Sequence, residues 1–515
     1  MTRFLVKRPL LAVLAGLLVL GAGRLAAHED HDGDADEGAS RNMKLVGFND
    51  LQARSAYQPV VHQQGGRYIA YTGHHALGTN PQTGAPLPSF NPLTGKDEEN
   101  GTSIIDVTDP RRPKYLFHLP VPDGNGGGAQ MNRVCDGKTL PVHDNFVYLL
   151  RTFANSAQEI WDVTDPGNPQ DVRTVRNGNP ILGASTGQPG AMAGTHKNWW
   201  ECDTGIAYLV GRRGTDGKDG WKSGNHILIY DLGNPAKPKF IRDWALDGQQ
   251  PGGKIPPHFT AVPAIHGPIS TGPAGNRVYF AYGVGSNGVM QIVDRSKLLD
   301  PSITDFTSAE LGRLVMNPDN GGHTSWPLGK MTVADLTVDT GNTTGNVRDI
   351  VVVVSEAGGA FCDEPRHLTF MVDVTAEGRP QSISTFQVPA SSGRFCDRGG
   401  RFGPHATNEE FGPPFYQKLV FVSYFNAGVR AIDVRDPYNP KQAGFFIPAV
   451  TANTDLRCGT LNGVKNVCRA VVQTNNVATD DRGFVYIVDR ANTGMHILRL
   501  TGDAARIAGL NGDDH

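Results

Sequence analysis

The sequence predicts an all-β fold, a seven-bladed β-propeller closed by an N-terminal strand that completes the last blade. Three observations carry this. A strand-and-turn unit recurs along the chain, the recurrence is near-regular, and the two ends of the repeating region complement each other. The unit reads GTSIIDVTDPRRPKYLFHLP at 101–120, QEIWDVTDPGNPQDVRTV at 158–175, HILIYDLGNPAKPKFIRDW at 226–244 and GVRAIDVRDPYNPKQAGFFIP at 428–448. Looser copies begin at 288 and 367, and a last one, GMHILRLTG, at 494. The marker positions Asp106, Asp162, Asp231, Asp294, Asp373, Asp433 and Arg499 are spaced by 56, 69, 63, 79, 60 and 66 residues. Units of about 65 residues are too long for a solenoid rung and suit a four-stranded blade with long loops.

Each unit has the same internal order. An apolar strand comes first, such as FVYLL, IAYLV, RVYFAY, IVVVV, LVFVSY or FVYIV. The strand ending in Asp follows. D-P-x-x-P then turns the chain, because Asp accepts from the backbone two residues on and Pro presets φ. An outer strand ends the unit. MKLVGFNDL (43–51) reads as such an outer strand, yet it precedes the first unit, and the last unit stops at GMHILRL without one. Joining the two closes the ring and leaves only short, protected edges.

The units SIIDVTDPRRP, EIWDVTDPGNP and AIDVRDPYNP resemble LVIVD repeats, over most of residues 44–500. That resemblance implies an exported β-propeller and says little about activity. The layout of histidines described below is distantly similar to the selenium-binding protein/methanethiol oxidase group. By architecture alone it is similar to carotenoid cleavage oxygenases, propellers whose iron is held by four histidines.

The termini read as non-propeller sequence. Basic Arg3, Lys7 and Arg8 precede an apolar run from Leu10 to Gly23 and small residues at Ala26–Ala27, the pattern of a signal peptide over 1–27. Residues 28–42 read as an acidic disordered tail, 43–502 as the propeller and 503–515 as a disordered C-terminal tail. The expected location is periplasmic or secreted, and the chain is not expected to be an integral membrane protein. Six cysteines in an oxidising compartment point to disulfides. Neighbour pairing, Cys135–Cys202, Cys362–Cys396 and Cys458–Cys468, is the simplest of the 15 arrangements that six cysteines allow. A net charge of −3 with no basic face gives no reason to expect a nucleic-acid partner. No nucleotide-binding or nucleophile-elbow motif occurs, so no nucleotide cofactor is expected.

Strands in each blade are labelled A to D from the axis outward. The starts of the A strands and the ends of the B strands open on one face of a propeller. Four A-strand starts carry histidine: His196 in GTHKNWW, His266 in AIHGP, His323 in GGHTSWP and His405 in FGPHATNEEF. Their spacings of 70, 57 and 82 follow the blade period. Imidazole suits Cu, Fe, Zn and Ni, and strands around one axis can bring single ligands together without a linear motif. A transition metal held by these four residues is therefore expected, copper or iron first and zinc as a further option. The competing reading has the histidines as turn caps around a water-filled channel.

Further residues are candidates for the metal's surroundings or the pocket. They are Glu201, Glu409, Glu410 and Glu356 as carboxylates, His74 and His75 as extra ligands, and Arg151, Arg212, Tyr424 and Arg490 as pocket groups. The expected function is metal-dependent oxidation or oxygenation of a small organic or sulfur compound. The alternative is a metal-free propeller that binds an envelope or extracellular protein partner.

Overall fold

A computed structural model describes residues 38–511, apart from 76–88, 122–127, 173–181, 184–191, 214–219, 223, 258–261, 317–318 and 334–345. The signal-peptide reading of 1–27, and most of the acidic segment, lie outside the described residues.

Among the described residues, seven antiparallel sheets of four or five strands follow one another along the chain, beside two two-stranded ribbons. Blade 1 runs Ala56–Gln64, Arg67–His74, Gly101–Asp106 and Lys114–Pro120 from strand A to strand D. Blade 4 runs Ile265–Ser270, Arg277–Tyr282, Val289–Asp294 and Glu310–Val315, and blade 5 runs Gly322–Thr332, Val347–Ser355, Thr369–Asp373 and Gln381–Phe386. In blade 6 the innermost segment is irregular. Backbone bonds from His405 N to Ser423 O and from Asn408 N to Phe421 O hold it to Leu419–Ser423.

The N-terminal strand Met43–Asn49 pairs with Gly494–Leu500 and supplies the outer strand of blade 7, as the sequence predicts. Arg482 of blade 7 then donates to Thr108 O and Val107 O of blade 1, across the seam.

The apolar residues explain why no blade stands alone. Buried clusters straddle each of the seven neighbouring pairs. Ile69, Tyr71 and Ile104 of blade 1 meet Val147 and Leu149 of blade 2, for example. Tyr486, Val488 and Ile497 of blade 7 meet Ala70 and Ile105 of blade 1, which closes the ring. Each buried Val, Leu or Ile contributes about 1.5–3 kcal/mol, so most of the stability resides between blades.

The marker aspartates act locally as expected. Asp106, Asp162, Asp231, Asp373 and Asp433 each accept from the backbone N–H two residues on, at 2.8–3.1 Å. Asp294 departs from this and caps the short helix Arg295–Leu299 through Lys297 N.

Both ends of the propeller need correction. Residues 39–41, read as disordered tail, form a strand that pairs with Lys441–Ile447 on the outer edge of blade 6. Residues from 503, also read as tail, instead form the helix Gly502–Ala508. Its Ala504, Ala505 and Ala508 pack on the core between blades 6 and 7. Their small size hid the apolar face, since three alanines among polar residues read as tail. The three disulfides are Cys135–Cys202, Cys362–Cys396 and Cys458–Cys468. Among the described residues, no helix is long and apolar enough to cross a membrane.

Candidate metal centre

The central strands share a local irregularity. The A/B register shifts between Ala56 and Pro59, between Ile265 and Gly267, between Gly322 and Thr324, and between Thr474 and Asn476. A bulge adds one residue to a strand and re-aims its side chain. The residues in these shifts include Tyr57, His266, His323 and Asn475, from blades 1, 4, 5 and 7. His196 and His405 stand at the corresponding strand entrances of blades 3 and 6, bonded through their backbone N–H to Val210 O and Ser423 O.

The four imidazoles form a continuous arc. Ring centroids are 4.6 Å apart for His196–His266, 4.2 Å for His266–His323 and 4.2 Å for His323–His405. Tyr57 closes the arc, 5.3 Å from His196 and 5.6 Å from His405. The Nε2 atoms of His196 and His266 are 3.0 Å apart, and the Tyr57 hydroxyl is 3.0 Å from His196 Nε2.

The far side of each ring is tied down. His405 Nδ1 lies 2.6 Å from Asn475 O, and His266 Nδ1 lies 3.3 Å from His323 O. A carbonyl only accepts, so these Nδ1 atoms carry the proton and each neutral Nε2 presents a lone pair. His323 Nδ1 meets Thr324 Oγ1 at 2.7 Å, and that hydroxyl also receives Lys197 Nζ at 3.0 Å. The Nε2 atoms of His323 and His405 are buried without a hydrogen-bond partner.

Burial, and then nearby Lys197 and Arg490, push His196 down to about 4. Burial holds His266, His323 and His405 well below the ordinary range. All four are therefore neutral at pH 7, the protonation state in which imidazole is a ligand.

Glu356 stands over the arc. Its carboxylate lies 3.8 Å from His266 Nε2 and 3.6 Å from His405 Nε2, and it receives Arg401 at 3.0 Å. One donor atom each from His266, His323 and Glu356 falls within 4.8 Å of the others. Burial raises the Glu356 carboxyl. A pocket of about 360 Å³ covers this face, lined by Tyr57, His75, His196, His266, Glu356, Arg401 and Arg490 among others.

Several sequence candidates lie elsewhere. Glu201 is at the far end of the strand Asn198–Trp200, where Arg295, Ser270, Tyr208 and Thr204 all donate to it. Arg151 is buried against Glu159 and the Leu119 and Pro120 carbonyls, tying blade 2 to blade 1. His74 turns into blade 1, onto Ser103 Oγ and Ser55 O. Tyr424 belongs to the core between blades 5 and 6, where its hydroxyl accepts from Val388 N. Arg212 faces Ala193 on the strand Ile206–Arg213 and does not line the pocket.

Glu409 joins Lys197 and Arg133, both at 2.5 Å. It thus neutralises cations beside the arc and does not orient an imidazole. Glu410 accepts from Thr479 Oγ1 at 3.0 Å, and burial raises its carboxyl to about 7. Only His75, Glu356 and Arg490 of these ten reach the pocket.

Sequence reasoning missed Tyr57 and Arg401. Tyr57 had a signal, since it holds in SAYQPVV of unit 1 the strand-entrance position that His holds in units 3 to 6. Arg401, in a loop before blade 6, had none.

No known family model matches the chain, and no curated protein is detectably similar in sequence. Solved structures are similar in fold. The Dos1 propeller is 12% identical with a TM-score of 0.43, covering 90% of this chain and 97% of that one. Saccharomyces cerevisiae Sqt1 is 8% identical with a TM-score of 0.42, covering 89% and 99%. A glucose dehydrogenase is 11% identical with a TM-score of 0.30, covering 69% and 93%. At these identities the likeness is one of fold alone, and the strand pairing independently gives a seven-bladed β-propeller.

Proposed function

We propose that this propeller carries a mononuclear transition metal on its axis, held by His196, His266, His323 and His405 with Glu356 alongside, and acts as an exported metal-dependent oxidoreductase on a small molecule. The observation that carries the reading is the pair of buried Nε2 atoms of His323 and His405, which have no partner. An unpaired buried acceptor costs about 1–3 kcal/mol, and a metal would relieve two such costs at once. Ligands at about 2.0–2.1 Å from one ion sit about 3 Å apart at right angles. The 3.0 Å between His196 Nε2 and His266 Nε2 fits that spacing. Carbonyl acceptors behind His266 and His405 are the partners that fix the tautomer of metal-bound imidazoles.

Four neutral donors and one carboxylate fit copper or iron, with zinc a further option. Such an ion supplies electron transfer or Lewis acidity. The chain's own residues bury His323 and His405, fix the rings and place Tyr57, Glu356 and Arg401 over the arc. Three disulfides fit an exported protein.

Elemental analysis of the purified protein tests the reading. The expected result is one metal per chain, lost in His266→Ala and in His405→Ala. Stoichiometric metal that survives both substitutions, or a chain that takes up no Cu, Fe or Zn, overturns it and leaves the metal-free binding propeller.

A further inference from the structure

Arg490 is a half-buried cation without an anion of its own. It follows the strand Phe484–Asp489 of blade 7 and lines the pocket over the imidazole arc. Its carbonyl accepts from Ser55 and Arg457, but its guanidinium donates to no oxygen among the described residues. The neighbouring charges do not cancel it. Glu356 engages Arg401 at 3.0 Å, and the single carboxylate of Glu409 is shared by Lys197 and Arg133. The imidazoles and Tyr57 are neutral. Burial and then the like charge of Arg401 pull the Arg490 guanidinium down to about 10, which still leaves it charged at pH 7. A partly desolvated charge without a counterion is costly, and a cleft with an excess of one sign concentrates the opposite sign.

We propose that the pocket binds a small monocarboxylate, whose carboxylate pairs with Arg490 while its body lies against Tyr57, His75 and the imidazole arc. The inference rests on the reading of this pocket as the functional site. Of the charged residues that line the pocket, Arg401 and Arg490 face one carboxylate, Glu356, and the one positive charge in excess matches one negative charge. Its planar fork of N–H donors matches the two coplanar oxygens of a carboxylate. The volume of about 360 Å³ suits a compound of a few to a dozen heavy atoms. Tyr57 and His75, with ring centroids 4.6 Å apart, offer aromatic edges to an apolar body. The side-chain amides of Gln130, Asn155 and Asn225 line the wall and provide polar groups for a substituent. Glu356 works against a second negative charge, so dianions are disfavoured.

Benzoate and its neutral isostere benzamide test this by calorimetric titration of the full chain, with and without a chelator. The expected result is saturable benzoate binding, with benzamide weaker by about ten-fold or more, the loss of one charge-assisted contact. Arg490→Gln should remove the preference, and Arg490→Lys should keep part of it. Equal binding of the two probes, no benzoate binding, or an unchanged preference in a folded Arg490→Gln protein overturns the proposal. If Arg490→Gln does not fold, the two probes on the unaltered chain decide. Metal content of the same samples separates the two readings. Benzoate selectivity in a chain that takes up no Cu, Fe or Zn sinks the metal centre and keeps the carboxylate site. Metal without selectivity does the reverse.

Discussion

Two buried polar clusters lie at opposite ends of the same strands, and they are built on opposite principles. His196 and His266 open the central strands of blades 3 and 4. Glu201 and Ser270 close them. At the closing end both oxygens of the Glu201 carboxylate are matched. Arg295 forks onto both oxygens of Glu201 at 2.8 and 2.6 Å, and Ser270 and Tyr208 complete the carboxylate at 2.5 and 2.9 Å. At the opening end, Nε2 of His323 and of His405 have no hydrogen-bond partner, and Glu356 is held by one arginine, with the His405 and His266 rings beyond hydrogen-bond distance at 3.6 and 3.8 Å. The protonation equilibria agree. Hydrogen bonds outweigh burial at Glu201 and lower its carboxyl, whereas burial wins at Glu356 and raises it. A satisfied cluster is a clamp. An unsatisfied one retains binding capacity.

The comparison can be broken most directly at the clamp. Glu201→Ala strands a buried Arg295, and urea denaturation should show a loss of about 3–5 kcal/mol. A loss under about 1 kcal/mol would mean that the cluster is not the tie it resembles.

Glu410 sharpens the comparison from between the extremes, with one hydroxyl and one backbone amide donating to it and a carboxyl raised from 4.5 to about 7. A raised carboxyl favours the folded state while protonated. That contribution is present below about 4.5 and is lost as pH rises towards 7. Melting from pH 5 to 8 should show a decline of up to about 3 kcal/mol that Glu410→Gln abolishes. A variant with the same pH profile as the parent would place the carboxylate in solvent contact.

The smallest effect on folding should come from the arc itself. His323→Leu removes a buried orphan nitrogen, so the metal-free protein should change by no more than about 1 kcal/mol. The thermal stabilisation gained on adding metal should disappear in the same variant. A large loss without metal would make His323 a structural residue, and the contrast between the two ends would collapse.

Much of this architecture was legible in the chain, for a physical reason. Blade strands repeat, so Asp106, Asp162, Asp231, Asp373 and Asp433 make the same turn five times, each through bonds within two residues. The blade period also pointed to His196, His266, His323 and His405. Side-chain direction was not legible. Glu201 is five residues from His196, yet an extended strand carries it to the opposite end of the blade. His74 and His75 are adjacent, and alternation sends one into blade 1 and the other to the pocket. The segment from 503 reads as tail because the fully buried part of its apolar face consists of alanines, with Ile507 and Leu510 only partly buried beside them.

The sequence alone therefore determined the repeat, the closure by Met43–Asn49 and the four strand entrances that carry histidine. These follow from local periodicity and turn chemistry. Only the tertiary structure decided that Tyr57 joins the arc, that Arg401 occupies Glu356, and that Arg490 is left without a counterion. Those outcomes depend on which loops meet over the axis and on bulges that rotate single side chains inward, and neither leaves a period in the chain.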